Sequence, residues 1–321
     1  MYNRREFLGL AGAGALAACA RNGTGGGSGG KAVIKHVFGE TTVPAPPTRV
    51  VSAGLTEQDD LLAVGVVPIA VTNWFGDQPW GVWPWAQPKL GAAKPALLNL
   101  DNGIQVDKIA GLKPELIVAI NAGLDADTYQ KLSAIAPTIA QSGGDAFFEP
   151  WKDQARSVAR AVFKSDEMAR LIDTVEAGFI SAGQANPAFA NKTAVLLSGA
   201  FAGDAITATV DGWRTEFLTA MGLGIPDSLK GLAGSDGHAV IPRAELATAL
   251  QSADVLIWAT ESDAAQAALL ADPTIATLRN TSLDRNVFTG RDLAAAIDFA
   301  SPLSYPLVAA QLPPMLARAL G

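Results

Sequence analysis

Residues 150–178 read PWKDQARSVARAVFKSDEMARLIDTVEAG, and no Gly or Pro lies between the first and last residues of this stretch. Apolar side chains recur along it every three or four positions, which is the spacing of one helix face. Pro150 suits the first helical position, which needs no backbone N–H donor. Ser165-Asp166-Glu167 indicates a second helix start with acids in its first turn. The stretch therefore predicts a long helix and its continuation.

Short apolar runs alternate with helical patterns on both sides of this helix, as is typical of α/β architecture. The run Leu116–Ile120 is continuously apolar, which favours a strand covered on both faces. In the first half we predict strands at Val50–Ser52, Pro68–Thr72, Leu116–Ile120 and Thr138–Ala140, and helices at Glu57–Val64, Val106–Gly111 and Asp125–Ile135. In the second half we predict strands at Ala194–Leu197, Val255–Ala259 and Val287–Thr289, and helices at Thr215–Gly222, Ala244–Gln251, Asp263–Ala271 and Pro302–Leu320.

The predicted fold class is therefore α/β, with two Rossmann-like α/β lobes joined by a long linker helix. We place the N-terminal lobe at residues 32–149, the linker region at 150–180 and the C-terminal lobe at 181–321. The alternative is a single long doubly wound domain.

The start of the chain indicates export. Arg4 and Arg5 precede an uncharged apolar run over residues 8–18, which is about half the length that a membrane-spanning helix needs. Residues 3–8, NRREFL, resemble the twin-arginine export motif. The match is imperfect, because Asn3 replaces the usual Ser or Thr and the following Gly replaces a common Lys.

The end of this signal indicates lipid attachment. Residues 16–19, LAAC, resemble the lipobox of bacterial lipoproteins, in which the cysteine thiol is acylated before cleavage. The next stretch is rich in Gly and is a flexible coil by composition. We expect a signal peptide at 1–18, lipidation of Cys19 and a flexible tether at 19–31. The alternative is an ordinary secretory signal with an incidental cysteine.

Composition excludes several classes of function. The formal net charge is −7, and an acidic surface argues against nucleic acid as a partner. Cys19 is the only cysteine, so the chain has no internal disulfide and its stability must come from packing. No later segment reaches the ~18 apolar residues of a membrane-spanning helix.

Short stretches across most of the chain form an ordered set of motifs. They are residues 48–52 (TRVVS), 60–71 (DLLAVGVVPIAV), 106–117 (VDKIAGLKPELI), 135–138 (IAPT), 150–151 (PW), 253–256 (ADVL) and 299–306 (FASPLSYP). In this order they resemble the iron–siderophore substrate-binding proteins of ABC importers, of the ferric hydroxamate and cobalamin type with a helical backbone. The resemblance covers residues 44–316.

This resemblance implies a class III periplasmic-binding fold, in which one long rigid helix bridges two lobes and the ligand lies in the cleft between them. It implies an extracytoplasmic protein that captures a ferric siderophore and delivers it to the permease subunits of an ABC importer. We expect no catalysis, no cofactor and no protein-bound metal ion. We also expect a monomer, held by its lipid on the outer face of the cytoplasmic membrane.

The resemblance also implies two acids that dock on arginines of the permease. Asp107 stands where the family usually has Glu, so the charge is kept and the reach is shorter. Glu245 is the candidate on the second lobe. The structural alternative for both is a favourable acid in the first turn of a helix.

The loop after the second predicted strand is a candidate wall of the cleft, because ligands of open α/β sheets lie outside the carboxyl ends of the strands. Four of the seven tryptophans fall in this loop: Trp74, Trp80, Trp83 and Trp85. Tryptophan offers a broad, flat surface that suits a large chelate. The structural alternative is that these side chains pack the loop onto its own lobe.

The second lobe offers three further candidates. Trp213 and Arg214 precede a predicted helix, where the resembling proteins often place ligand contacts, and Arg291 follows a predicted strand. An arginine can meet the carboxylate, phenolate or hydroxamate oxygens of a ferric chelate. The structural alternative is a solvated loop arginine.

The sequence is also compatible with other ligands and other classes of function. Direct binding of a metal ion usually needs several histidines with carboxylates, and this chain has only His36 and His238, which we interpret as surface residues. Haem and cobalamin are alternative ligands, and an exported enzyme or a ligand-free scaffold lipoprotein are alternative classes. Few basic residues lie near the predicted cleft, which favours a neutral or cationic ferric hydroxamate or mixed-ligand chelate over a highly anionic one.

Overall fold

Two separate five-stranded sheets form the framework of the chain. The computed structural model describes residues 30–210, 212–234 and 236–321. The predicted signal peptide, Cys19 and nearly all of the predicted tether lie outside the described residues. Residues Lys31–Gly321 form one compact unit.

The described elements follow each other in an alternating order. The strands are β1 (Ala32–His36), β2 (Gly39–Val43), β3 (Val50–Ser52), β4 (Ala70–Thr72), β5 (Ala96–Leu98), β6 (Leu116–Ala119), β7 (Thr138–Ala140), β8 (Ala194–Ser198), β9 (Ala205–Thr209), β10 (His238–Pro242), β11 (Val255–Ala259) and β12 (Asn286–Phe288). The α-helices are α1 (Glu57–Ala63), α2 (Gln87–Leu90), α3 (Val106–Gly111), α4 (Ala126–Ser133), α5 (Trp151–Ala161), α6 (Ser165–Ala185), α7 (Glu216–Ala220), α8 (Asp227–Lys230), α9 (Leu246–Ala249), α10 (Asp263–Ala271), α11 (Pro273–Ala276), α12 (Arg279–Ser282), α13 (Arg291–Phe299) and α14 (Tyr305–Leu320).

The N-terminal sheet is parallel throughout, with the order β5-β4-β3-β6-β7. The chain starts in the middle at β3, moves to one edge, and then continues on the other side at β6. This reversal leaves a crevice at the carboxyl ends of β3 and β6. Every residue of β6 is fully buried, as its continuous apolar pattern predicted.

The C-terminal sheet repeats the same order as β10-β9-β8-β11-β12, but it is mixed. Strands β8, β11 and β12 are parallel, whereas β9 is antiparallel to both of its neighbours. Because β9 runs backwards, the connection between β9 and β10 leaves the sheet at the edge opposite to the carboxyl end of β8. Two sheets, rather than one, confirm the two-lobed α/β fold over the single doubly wound domain.

The linker consists of two helices that meet at a sharp break. The second helix begins at Ser165, as predicted, but the chain between α5 and α6 leaves the helical conformation, and Phe163 has a φ of 59°. A phenylalanine in this left-handed region is strained, because its Cβ approaches the backbone. Helix α5 packs on α1 and β1, whereas α6 packs on α7 and α14, so each helix belongs mainly to one lobe.

One hydrophobic core runs through both lobes and the linker. It contains Val50 and Leu116 from the N-terminal sheet, Val158 and Ile172 from the linker, and Leu256 from the C-terminal sheet, among many others. The apolar interior is therefore continuous from one sheet to the other. No helix in the described part of the chain is both long and apolar enough to cross a membrane.

Candidate functional site

A cleft of ≈ 420 Å³ lies between side chains of the two halves of the chain. The first half contributes Trp74, Asp145 and Phe148, and the second half contributes Arg214, Asp236, His238 and Asp298. A neighbouring depression of ≈ 450 Å³ shares Asp145, Phe148, Arg214 and Asp236 with it. The two cavities therefore form one continuous groove along the junction of the lobes.

The residues that line the groove lie at different kinds of position in the two lobes. Trp74 follows the carboxyl end of β4 closely, as the sequence rule predicted. In the second lobe, Arg214 and Asp236 lie in the segment that connects β9 to β10, and His238 is the first residue of β10. That segment lies away from the carboxyl end of β8 because β9 is antiparallel.

Arg214 connects the two walls of the groove. Its guanidinium carbon lies 4.3 Å from the ring centroid of Trp213 and 4.6 Å from that of Phe148. Phe148 belongs to the first lobe, so the contact joins the lobes through a cation–π interaction worth about 0.5–2 kcal/mol. Desolvation lowers the pKa of Arg214, which stays protonated because arginine normally titrates far above neutral pH.

Three carboxylates of the cleft act electrostatically on this guanidinium. Asp145 accepts hydrogen bonds from the backbone N–H groups of Phe147 and Phe148 at 2.9 and 3.0 Å. Asp236 accepts one from the backbone N–H of His238 at 3.1 Å. The side chain of Asp298 is open to solvent, yet the surrounding cleft walls withdraw enough water to raise the pKa of its carboxyl group, an effect that Arg214 opposes.

His238 lies half-buried in the cleft wall rather than on the surface. Desolvation and the nearby Arg214 lower the pKa of its imidazole, so the ring is neutral at pH 7. His36 is buried as well, with its Nε2 2.9 Å from the hydroxyl oxygen of Thr41. The interpretation of both histidines as surface residues is therefore wrong. Among the described residues, no three His, Cys, Asp or Glu side chains converge in a way that suits a metal ion.

The four tryptophans of the first lobe take three different positions. Trp74 lines the cleft, and its ring lies 5.7 Å from Phe148 and 5.5 Å from Phe299. Trp83 is 1 % exposed and stacks on Trp85 at 5.1 Å, so this pair supports the wall from behind. Trp80 is 39 % exposed and lies 5.7 Å from the ammonium group of Lys94, apart from the residues that line the groove.

Arg291 makes a second contact between the lobes. Its guanidinium donates a hydrogen bond to the backbone oxygen of Gly76 and lies 5.5 Å from the ring of Trp83. Gly76 has a φ of 83°, and an added Cβ would lie 2.5 Å from the Trp83 ring, so only glycine fits this turn. The two lobes are thus in contact through Arg214 in the groove and through Arg291 outside its lining residues.

A buried acidic network, which the sequence analysis did not find, lies on α1. Asp59 accepts hydrogen bonds from Trp85 Nε1 at 2.8 Å and from the Ser301 hydroxyl at 2.6 Å. Because Ser301 follows α13, this carboxyl group ties the N-terminal lobe to the C-terminal lobe. Burial raises the pKa of Asp59 to about 6, although both hydrogen bonds oppose the shift.

The other acids of α1 are buried in the same way. Burial raises the pKa of Glu57 to about 7, against the hydrogen bond that its carboxylate accepts from the backbone N–H of Asn121 at 2.8 Å. Asp60 accepts a hydrogen bond from Gln154 Nε2 at 2.5 Å, and burial raises its pKa strongly. One pattern in the sequence indicates this network. Glu57, Asp59 and Asp60 lie together on one predicted helix, and an apolar run follows them directly.

The two acids predicted to dock on a permease are both exposed. Asp107 lies in the first turn of α3, and Glu245 ends the short 3₁₀ helix that follows β10. Helix α3 follows the carboxyl end of β5, and β10 runs parallel to β8 because both flank the antiparallel β9. Each acid therefore lies at the carboxyl edge of its own sheet.

Comparisons with known proteins agree with this architecture. A family model described as "Periplasmic binding protein" matches residues 50–292. The crystal structure of a periplasmic solute binding protein from Mycobacterium smegmatis str. MC2 155 is 61 % identical, covers 91 % of this chain and 99 % of that one, and superposes with a TM-score of 0.87. PiaA of Streptococcus pneumoniae TIGR4 in complex with ferrichrome is 25 % identical, with coverages of 90 % and 99 % and a TM-score of 0.74.

Curated relatives match over shorter segments. The probable siderophore-binding lipoprotein YfiY of Bacillus subtilis (strain 168) is 33 % identical over 141 residues, which is 43 % of this chain and 41 % of YfiY. The matched segments span half or less of the length of the curated relatives.

Proposed function

Because this chain belongs to the periplasmic binding protein family, we propose that it is the extracytoplasmic substrate-binding protein of an ABC importer and that it captures a ferric siderophore between its lobes. The observation that carries this proposal is the groove itself. Flat aromatic rings of Trp74 and Phe148 line it, and a single guanidinium, that of Arg214, bridges its two walls. The ferrichrome complex of PiaA, a protein with the same architecture, supports the class of ligand.

The groove suits recognition of an intact chelate. Aromatic rings bury the organic shell of a chelate at low entropic cost, because they have few rotatable bonds. The N–H edge of Arg214 can donate charge-assisted hydrogen bonds to the oxygen atoms that coordinate iron. Together these groups hold a ligand without any covalent step, so we propose binding rather than catalysis.

The lipid anchor completes the proposal. A lipid on Cys19 and the Gly-rich segment after it would hold the two lobes near a permease on the outer face of the cytoplasmic membrane. The match to a relative named as a siderophore-binding lipoprotein supports this location. The proposed twin-arginine export route rests on residues 3–8, NRREFL.

A fluorescence titration tests the function. The protein is titrated with a neutral ferric trihydroxamate, and its iron-free form, haem and cobalamin are titrated in parallel. We expect the ferric chelate to quench the tryptophan emission saturably and to be recovered unchanged, with weaker binding of the iron-free form. Tighter binding of haem or cobalamin, or conversion of the chelate to a product, would refute the proposed ligand class.

A further inference from the structure

The charges that line the groove do not balance. Asp145, Asp236 and Asp298 contribute three carboxylates, against the one guanidinium of Arg214. His238 adds no charge at pH 7, because its imidazole is neutral there. Three negative charges minus one positive charge leave the lining of the ≈ 420 Å³ cleft at −2, and the neighbouring depression adds the acidic side chains of Glu149 and Asp153. Glu261 adds to the negative field at Asp298.

The positive charge of Arg214 is already compensated inside the groove. Asp298, Asp145 and Asp236 all act on it electrostatically, with Asp298 the strongest of the three. The faces of the guanidinium lie over Trp213 and Phe148, which leaves its edge for a ligand. An anionic ligand would therefore approach one compensated cation and a surplus of carboxylates.

Asp298 differs from Asp145 and Asp236, the other two acids of the cleft, in its hydrogen bonding. The carboxylates of Asp145 and Asp236 accept hydrogen bonds from nearby backbone N–H groups. Asp298, which lies near the end of α13, accepts no hydrogen bond from any other described residue and makes no salt bridge of 4 Å or less with one. Its carboxylate therefore keeps its full capacity to accept a donor from a ligand.

The surroundings of Asp298 suit a cationic donor. Trp74 lines the same cavity, and aromatic rings attract ammonium groups to their faces. A carboxylate beside an aromatic ring in a partly desolvated groove interacts with a cation more strongly than an exposed carboxylate does, since less water screens the charge.

We propose that the groove selects a ferric chelate that carries net positive charge, and that Asp298 is the residue that meets the cationic group of the ligand. This inference rests on the proposed function and narrows it to one charge class. Chelates whose coordinating groups leave a net negative charge, such as tricatecholates and polycarboxylates, are disfavoured by the same carboxylates that attract a cation.

A matched pair of ligands tests the inference. Ferrioxamine B has a neutral ferric trihydroxamate core and a terminal ammonium group, and N-acetylation of that group removes the charge while the core is kept. At pH 7.5 and low ionic strength we expect the ammonium form to bind about three- to tenfold more tightly than the acetylated form. We expect added salt to reduce this ratio.

Variants assign the preference to a residue. Asp298→Asn should bring the ratio close to one, chiefly by weakening the binding of the ammonium form. Asp292→Asn changes an exposed acid on the same helix and should keep the wild-type ratio. Thermal unfolding of both variants verifies that they are folded.

The possible failures can be told apart. Equal affinity of the wild type for both forms, or tighter binding of an anionic ferric tricatecholate, would overturn the charge preference while the proposed function stands. A preference that persists in Asp298→Asn would overturn the role of Asp298. Failure of every ferric chelate to bind would overturn the proposed function and this inference with it.

Discussion

Arg214 concentrates the chemistry of the groove in one side chain. It lies against a ring from each lobe, three carboxylates act on it electrostatically, and it lines both parts of the groove. A guanidinium held in this way has little freedom to rotate, so its N–H edge is oriented before a ligand arrives. The same contacts make Arg214 sensitive to the relative position of the lobes, because Phe148 and Trp213 lie on opposite walls.

Asp59 gives the protein a pH-dependent stability that can be measured. Its pKa in the folded protein is about 6, above the usual value for aspartate, so the folded state keeps a proton that the unfolded state releases. The contribution of Asp59 to the stability of the folded state is therefore present at low pH and is lost as the pH rises through about 6. The side chain in Asp59→Asn stays neutral at every pH. We therefore expect the free energy of unfolding of this variant, measured relative to that of the wild type, to rise by about 1–2 kcal/mol from pH 5 to pH 8.

Chemical denaturation at these two pH values measures the effect. Asp173→Asn, which changes an exposed acid on α6, should follow the wild type at both values. If Asp59→Asn showed the same change in unfolding free energy between pH 5 and pH 8 as the wild type, the account of the buried carboxyl group would be wrong.

At the scale of single residues, the sequence indicated part of the groove. Trp74 and Arg214 were found from their places after a strand and before a helix, and both line the cavity. Phe148, Asp236 and Asp298 were missed, because their importance depends on contacts between the lobes. No local pattern distinguishes Asp298 from Asp292 on the same helix, although only Asp298 lines the groove.

At the scale of elements, the linker explains how two lobes share one core. Helix α6 has 21 residues, so it is about 31 Å long and spans a lobe from end to end. Helix α5 is shorter and packs on the other lobe. The break at Phe163 separates α5 from α6, and each of these helices packs mainly against one lobe.

Two glycines of α6 test how closely that helix packs on the C-terminal lobe. An added Cβ at Gly183 would lie 2.5 Å from the backbone oxygen of Met221, which cannot move without moving the end of α7. We expect Gly183→Ala to lower the free energy of unfolding by about 1–3 kcal/mol. Gly178 is the matched control, because an added Cβ there meets only Ala309 at 3.8 Å.

Gly178→Ala should raise the free energy of unfolding by about 0.5–1 kcal/mol, since alanine is the better helix former. Urea denaturation of the two variants beside the wild type measures both effects. Equal effects of the two substitutions would show that α6 does not contact α7 as closely as described.

Among the elements, five were predicted with their exact bounds. Strands β3, β7 and β11 and helices α3 and α10 have the predicted bounds. The β1–β2 hairpin, β9 and β10 were missed, because their residues alternate between buried and exposed positions and carry few bulky apolar side chains. Helix α13 was also missed, although its apolar residues are buried.

At the scale of the whole molecule, we propose that capture and delivery use different surfaces. The groove lies between the lobes, whereas Asp107 and Glu245 are exposed, one on each lobe. We propose that this pair docks on cationic residues of a permease. Reversing both charges with Asp107→Lys and Glu245→Lys should abolish uptake of the ferric chelate in a reconstituted importer, while the affinity for the chelate stays unchanged.

A second pair of reversals controls for net charge. Asp127→Lys with Asp263→Lys changes one exposed acid on each lobe by the same amount and should leave uptake near the wild-type rate. Wild-type uptake by the Asp107 and Glu245 double variant, or a loss of chelate affinity in it, would contradict the docking role.

The central claim is that the groove between the lobes holds the ferric siderophore, and one titration tests it most directly. Wild type, Arg214→Gln and Arg170→Gln are titrated with the same neutral ferric trihydroxamate under the same conditions. Arg170 is exposed on α6 and lines neither part of the groove, so its variant should bind as the wild type does. We predict that Arg214→Gln binds about tenfold more weakly or worse. Equal affinity of all three proteins would contradict the claim.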